Sequence, residues 1–332
     1  MLGHLLWFLG SAVAVILAGI VLSRTSDCIA ERTGLGRLAA GVVLLASATT
    51  LPEIFTTISA VRLGAPDMAV GTMLGSCPQN LLILGLLDLF HHFEHRRGLS
   101  TRIVVGHTRA ATLGIILLAI AGASVYLRLP MSILNVGVGT LLLGAVYLAG
   151  LRVATRVGEE PPVAPPTLPS TTACEMSLRR ALTGFGVGAL VLALAAPRLA
   201  TSAEAIALGT GLGLTFFGTV FLTLITCLPE GVASFTAMRI GAYDLAVGNL
   251  FGSNAFNVTV LLLLDVAYRP GPILSAVSTA HVVTVLVAIA LTGIALQNIL
   301  TRDERRSWLV EPDAAVLLLA YLIGVGVIYA AR

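Results

Sequence analysis

Residues 46–84 read ASATTLPEIFTTISAVRLGAPDMAVGTMLGSCPQNLLIL, and the chain carries this stretch twice. A gapless shift of 177 positions lays Thr49, Leu51, Pro52, Glu53, Ala60, Arg62, Gly64, Ala65, Asp67, Ala69, Val70, Gly71, Gly75, Ser76, Asn80 and Leu84 on Thr226, Leu228, Pro229, Glu230, Ala237, Arg239, Gly241, Ala242, Asp244, Ala246, Val247, Gly248, Gly252, Ser253, Asn257 and Leu261. Sixteen of the 36 positions from 49 to 84 match. So long a period within apolar sequence points to two homologous halves rather than a solenoid of short units.

The surroundings of the repeat are those of a membrane protein. Of 332 residues, 57% are hydrophobic and 11% charged, against roughly 25% charged in a soluble domain. Apolar runs long enough to cross a bilayer of about 30 Å recur along the chain. They lack the polar–apolar alternation of a barrel, so the fold class is an all-α polytopic membrane protein. The net charge of +3, all twenty positive residues being arginine, excludes a nucleic-acid surface. Cys28, Cys77, Cys174 and Cys227 have no CxxC spacing and read as small buried side chains rather than disulfide or metal partners. The N-terminal stretch lacks a basic region and a cleavage site before its first arginine, and reads as a retained span rather than a signal peptide.

Ten spans are expected, at about 5–22, 35–61, 66–90, 104–123, 130–150, 178–199, 205–238, 241–267, 273–298 and 312–331. This divides the chain into a first five-helix repeat (1–150), a proline-rich linker (151–177) that cannot continue a helix, and a second repeat (178–332). Fourteen arginines fall in loops on the linker side and five on the other, Arg109 being too near a span end to assign. That asymmetry places the linker in the cytoplasm and both termini outside. Five spans per half force the second copy to enter the membrane from the opposite face. The halves are therefore inverted, and proteins built this way hold their site near the midplane, where the repeats meet.

Each copy concentrates the same chemistry. Pro52 and Pro229 free carbonyls in the preceding turn, around 46–49 and 223–226. Glu53 and Glu230 follow, and a carboxylate at that depth is tolerated where it faces a polar cavity. Thr49, Thr50, Thr226, Ser76 and Ser253 add hydroxyls, and Asn80 and Asn257 add amide oxygens. Such an all-oxygen set suits hard cations, and two negative charges match one Ca²⁺, two Na⁺ or two protons. An empty site would hold two desolvated carboxylates in mutual repulsion, so crossing without cations is disfavoured and obligatory exchange follows.

These motifs, TTLPEI with GTMLGSCPQN and TCLPEG with GNLFGSNAFN, resemble those of the cation/calcium antiporter superfamily, in particular its sodium/calcium exchanger branch of prokaryotic type. The resemblance covers both repeats and the ten-span layout. It implies four ion positions in a diamond, with Glu53 and Glu230 shared between them. Thr49 and Thr226 would serve Ca²⁺ and Na⁺, Ser76 and Ser253 flanking Na⁺ positions, and Asn80 and Asn257 the middle position. The carbonyls of Ala46 and Thr223 would complete the set. It also implies that the first and sixth spans, both rich in small residues, slide across the rest. The chain departs from the branch's usual GTSLPE: Ala48 and Ile225 replace the glycine, and Thr50 and Cys227 the serine. The proton-coupled branch typically carries GNxxE, which this sequence lacks, and that favours Na⁺.

The expected activity is secondary antiport of Ca²⁺ against Na⁺ by alternating access, extruding Ca²⁺ across the cell membrane. No cofactor, enzymatic activity or nucleic-acid partner is expected; the transported ions and membrane lipid are the partners, and the chain acts as a monomer. The alternative within transport is a proton-coupled or other divalent (Mg²⁺, Mn²⁺) antiporter. An intramembrane hydrolase using the glutamates as acid and base finds no HExxH, GxSxG or paired-aspartate motif. Three further features read as bland. Asp67 and Asp244 should cap helix N-termini, and Asp88 and Asp265 should be solvated at span ends. His91, His92, Glu94 and His95 could hold a metal but more often form a solvated loop.

Overall fold

The computed structural model describes residues 2–95, 98–128, 130–154, 174–209, 225–301 and 312–331. Ten principal helices run through them. They are α1 (Leu2–Thr33), α2 (Arg37–Arg62), α3 (Pro66–His95), α4 (His107–Leu127), α5 (Val138–Ala154), α6 (Leu178–Gly209), α7 (Leu228–Arg239), α8 (Tyr243–Ala267), α9 (His281–Thr301) and α10 (Pro312–Ala330). Eight are long and apolar enough to cross a membrane; α5 is a shorter apolar helix and α7 has 12 residues. The protein is an all-helical, multi-pass membrane protein in which five helices precede the linker and five follow it. The span expected over 205–238 divides differently: α6 continues to Gly209 and α7 begins at Leu228, with 210–224 outside the described residues. The proline-rich heart of the linker also lies outside them.

The centre of the molecule is built from α2, α3, α7 and α8. α1 and α6 lie along each other and reach the centre through α7 and α2, while α4 and α9 pack together on another side. The outward faces of α1 and α6 expose Leu6, Trp7, Leu17, Val187, Leu190 and Leu194, as surfaces in hydrocarbon should. The relation of the halves can be read from one contact: the Cys77 thiol meets the Asn254 carbonyl at 3.8 Å, and Asn254 is its own counterpart at the 177-residue shift. A residue that touches its equivalent lies on the pseudo-two-fold axis. Five helices per half turn that axis into the membrane plane, which makes the repeats inverted.

Glycine decides how closely α2 meets α8. A Cβ on Gly252 would stand 2.6 Å from Val42 Cα, and one on Gly41 would stand 2.6 Å from the Leu245 carbonyl oxygen. Backbone lies against backbone here, and α2 winds as a π-helix over the same residues, Ala40–Leu45. Wide turns of this kind recur at functional sites.

Four aspartates tie the ends of α3 and α8 to other elements, and both expectations for them need correction. Asp67 and Asp244 cap nothing on their own helices. Asp67 accepts from the Ser278 N–H (2.7 Å) and faces His281 Nε2 (3.2 Å) ahead of α9. Asp244 accepts from the Val104 N–H (2.8 Å) and faces His107 Nε2 (3.0 Å) ahead of α4. The pair is symmetric, each half gripping the other's fourth helix. Asp88 and Asp265 are buried rather than solvated. Asp88 accepts from the Leu99 N–H (2.6 Å). Asp265 accepts from Gly137 N–H (2.7 Å), Ile273 N–H (2.7 Å) and the Thr140 hydroxyl. Loop amides cannot stay unpaired at this depth, and a carboxylate is the strongest acceptor to offer them.

Two more expectations are overturned on the arginine-rich side. Cys28, near the end of α1, is disulfide-bonded to Cys174, 146 residues away. Neighbouring bonds fasten the same segment: Arg32 Nη2 donates to the Cys174 carbonyl at 2.7 Å, and the Cys174 N–H donates to Glu31 at 3.2 Å. Sequence spacing carries no trace of so distant a pairing. The histidine cluster is the last turn of α3, not a solvated loop. His91 and His92 are buried, His91 stacks on His95 and meets Tyr243 edge-on, and Arg239 Nη1 donates to both Glu94 oxygens at 2.8 Å. Among the described residues no group of three metal-ligating side chains gathers there.

Candidate cation site

The LPE triplet sits differently in the two halves. In the first, Pro52 lies inside α2 and leaves the Ala48 carbonyl without the amide that would have bonded it. In the second, Cys227 is the N-cap of α7 and Pro229 occupies its first turn, where a missing N–H costs nothing. Glu230 therefore stands at the positive end of a helix, which favours its charge. Glu53 stands in mid-span, its charge favoured by the Ser76 hydroxyl instead.

Both carboxylates are buried, Glu53 at 3% and Glu230 at 1% exposure. Ser76 Oγ donates to Glu53 Oε1 at 3.0 Å and also reaches the Thr72 carbonyl. Glu53 Oε2 and both oxygens of Glu230 have no hydrogen-bond partner among the described residues. The same holds for the hydroxyls of Thr50 and Ser253, for Asn80 Oδ1, and for both polar atoms of Asn257. Buried polar atoms are nearly always paired, and each orphan costs about 1–3 kcal/mol. So many on the two repeated segments, acceptors in the main, are what a cation would satisfy.

Of the ten residues expected at the site, Ser76 bonds Glu53 directly and Thr49 reaches the Glu230 segment through Asn249. Glu53, Glu230, Thr49, Asn80, Asn257, Ser76 and Ser253 are buried, and Thr226 adjoins Cys227 at the head of α7. Ala46 is on α2, where its carbonyl accepts from the Thr49 hydroxyl at 3.2 Å. Thr223 lies outside the described residues.

Two asparagines were missed. Asn249 accepts from the Thr49 hydroxyl (3.3 Å) and donates to Ser234 Oγ (2.9 Å) and, more weakly, to the Glu230 carbonyl (3.4 Å). It thereby joins the two LPE segments. Asn254 Oδ1 accepts from Asn80 Nδ2 at 2.9 Å, which fixes that amide with its own oxygen free. Their counterparts at the 177-residue shift are Thr72 and Cys77, so a search for duplicated polar residues passes over both.

Two buried carboxyl groups with unpartnered oxygens, one from each of two inverted helical halves, define a cation transporter of the inverted-repeat class. The particular family follows from comparison with known proteins. The sodium/calcium exchanger protein family matches residues 3–153 and again 180–330, and the chain belongs to that family. It is 28% identical over 273 residues to the inner membrane protein YrbG of Escherichia coli, covering 79% of this chain and 77% of that one. It is 26% identical to the putative antiporter CaxA of Alkalimonas amylolytica, covering 94% and 96%. The fold matches that of the sodium-calcium exchanger NCX_Mj with a TM-score of 0.72 at 19% identity, over 97% of this chain and 98% of the other. Membership makes the protein an ion antiporter without cofactor chemistry, not an enzyme.

Proposed function

We propose that the chain exchanges Ca²⁺ for Na⁺ across the cell membrane by alternating access, using Glu53 and Glu230 as the shared ligands and Thr49, Thr226, Ser76, Ser253, Asn80, Asn257 and the carbonyls of Ala46 and Thr223 around them. The observation that carries this reading is the set of unpartnered carboxylate oxygens: three of four have no hydrogen-bond donor although both side chains are almost fully buried. Two desolvated negative charges oppose passage through the membrane until cations neutralise them, which couples movement to binding. The site names of the relatives agree in kind, since NCX_Mj is called a sodium-calcium exchanger and CaxA an antiporter.

Residues 1–150 and 178–332 act as the two repeats, joined by a cytoplasmic linker, with both termini outside and the monomer as the working unit. The arginine asymmetry supports this orientation; the Cys28–Cys174 disulfide on the same side opposes it, since cytosolic thiols are kept reduced. Ca²⁺ leaves the cell as Na⁺ enters. With three Na⁺ per Ca²⁺, one net charge crosses per cycle and gains about 2.3 kcal/mol per 100 mV. The test is Na⁺-gradient-driven uptake of radiolabelled Ca²⁺ into proteoliposomes, with Na⁺, H⁺ and K⁺ varied separately. Uptake that follows Na⁺ and vanishes in Glu53→Gln is expected; uptake that follows the pH gradient instead would overturn Na⁺ coupling and favour the proton-coupled alternative.

A further inference from the structure

The site contains one donor that does not belong to an all-oxygen set. Cys227, 2% exposed, caps α7, and its thiol lies 4.0 Å from Glu53 Oε1. Its other polar neighbours are Ser76, Thr226 and Glu230. At the 177-residue shift its counterpart is Thr50, whose buried hydroxyl has no partner among the described residues. The two halves thus offer the same place on the ion cluster a hydroxyl on one side and a sulfur on the other.

A thiol is a weak hydrogen-bond partner for a carboxylate, so packing alone gives little reason to set sulfur against Glu53. As a ligand it is far from equivalent to a hydroxyl. Sulfur favours soft, thiophilic cations, whereas Ca²⁺ is held by oxygen. The separation is also informative. Sulfur and carboxylate oxygen bound to one tetrahedral Zn²⁺, at about 2.3 and 2.1 Å, stand roughly 3.6 Å apart. At 4.0 Å the two atoms are within reach of one cation. Unpartnered Glu53 Oε2 and Glu230 oxygens supply the anionic remainder of the coordination sphere.

We propose that Cys227, binding as the thiolate with its proton released to solvent as the cation enters, is a specificity-determining ligand that gives this site a preference for thiophilic divalent cations of about calcium's size, of which Cd²⁺ is the probe, over Ca²⁺ itself. This rests on the cation-site reading above and deepens it. Cys77, the other free cysteine, is turned to the Met73 and Asn254 carbonyls (3.7 and 3.8 Å) and serves as the control.

The experiment has two arms. Cd²⁺ is titrated into purified protein in detergent and the ultraviolet sulfur-to-cadmium charge-transfer band is followed in wild type, Cys77→Ser and Cys227→Ser. In parallel, the Cd²⁺ concentration that halves Ca²⁺ uptake is measured in proteoliposomes of the same three proteins. The expected result is a saturable band in wild type and Cys77→Ser, lost in Cys227→Ser and displaced by excess Ca²⁺, with a tenfold or greater rise in the half-blocking Cd²⁺ concentration for Cys227→Ser. No band in wild type, a band that survives in Cys227→Ser, or an unchanged Cd²⁺ block would overturn the proposal. Should Cys227→Ser fail to transport, the band decides alone. A Cys227-dependent band in a wild type that moves no Ca²⁺ would instead sink the exchange reading and leave the sulfur ligand standing.

Discussion

Asn249 carries more of the site than its position suggests. Its amide accepts from Thr49, on the first LPE segment, and donates to Ser234 and the Glu230 carbonyl, on the second, so three hydrogen bonds pass through one side chain that need not touch the ion. Groups that orient ligands in this way typically weaken metal binding 10–100-fold when removed. Asn249→Ala should therefore raise the Ca²⁺ concentration for half-maximal uptake by about tenfold or more, while Glu53→Gln removes uptake altogether. Equal affinities in Asn249→Ala and wild type would demote the residue to packing. The contrast also marks what could be read from the amino-acid string. Glu53, Ser76 and Asn80 announce themselves because each occurs again 177 residues later, and a buried carboxylate repeated at matching depth has few structural excuses. Asn249 and Asn254 answer to Thr72 and Cys77, so the same signal that exposes the ligands hides the residues that hold them. The Cys28–Cys174 pairing was equally unreadable, because its proximity arises only when the segment before α6 folds back on α1.

At the scale of the helices, the contact between α2 and α8 sets where Glu53 stands relative to the second half. Gly252 allows it: an added methyl would meet Val42 Cα at 2.6 Å, and backbone cannot give way as a flexible side chain can. Gly252→Ala should push the helices apart and lower stability by about 1–3 kcal/mol, seen as a fall of several degrees in the melting temperature of the detergent-purified protein. Gly293, on α9, is the matched control, since nothing lies within 4 Å of its added Cβ. Gly293→Ala should melt at or slightly above wild type, and parallel behaviour of the two variants would refute the packing argument. Asp265 belongs to the same scale, because it binds the α4–α5 connection and the loop before α9 to the end of α8. Replacing it with alanine orphans the Gly137 and Ile273 amides at once and should cost about 2–4 kcal/mol. A span-counting reading foresees helices but not such ties: hydropathy marks Asp88 and Asp265 only as the places where spans end, and a charged residue at a span end ordinarily faces water. What buries them is the return of the following loops into the molecule, which has no local signature. The break at Cys227 ahead of α7 has no hydropathy signature either, since Glu230 is the one charged residue in 205–238.

For the whole molecule, alternating access requires one body to move against another, and the resemblance to the exchanger branch implies that α1 and α6 are the body that moves. α1 and α6 lie along each other through closely nested small residues: a Cβ on Gly188 would meet Leu22 at 3.2 Å, and one on Gly184 would meet Thr25 at 3.0 Å. The disulfide and the Arg32 and Glu31 bonds to Cys174 fasten α1 to the chain entering α6 at the arginine-rich end. Against the centre the pair is held by the Ser23 hydroxyl on the Ala233 carbonyl of α7, by the Asp27–Arg37 ion pair at 2.6 Å, and by Gly19, whose added Cβ would meet Val232 at 2.8 Å. If α1 and α6 slide together, two cross-links of similar length should have opposite effects. Joining Ser23→Cys to Ala233→Cys by a disulfide ties the mover to the core and should arrest Ca²⁺ uptake until a reductant restores it. Joining Leu22→Cys to Gly188→Cys ties the two movers to each other and should leave uptake close to that of its uncross-linked form. Both pairs are scored for cross-linking by gel mobility and for flux in the same vesicles. Arrest by the Leu22–Gly188 link with free passage in the Ser23–Ala233 link would mean that α1 and α6 shear past one another, and the two-body description would have to be abandoned.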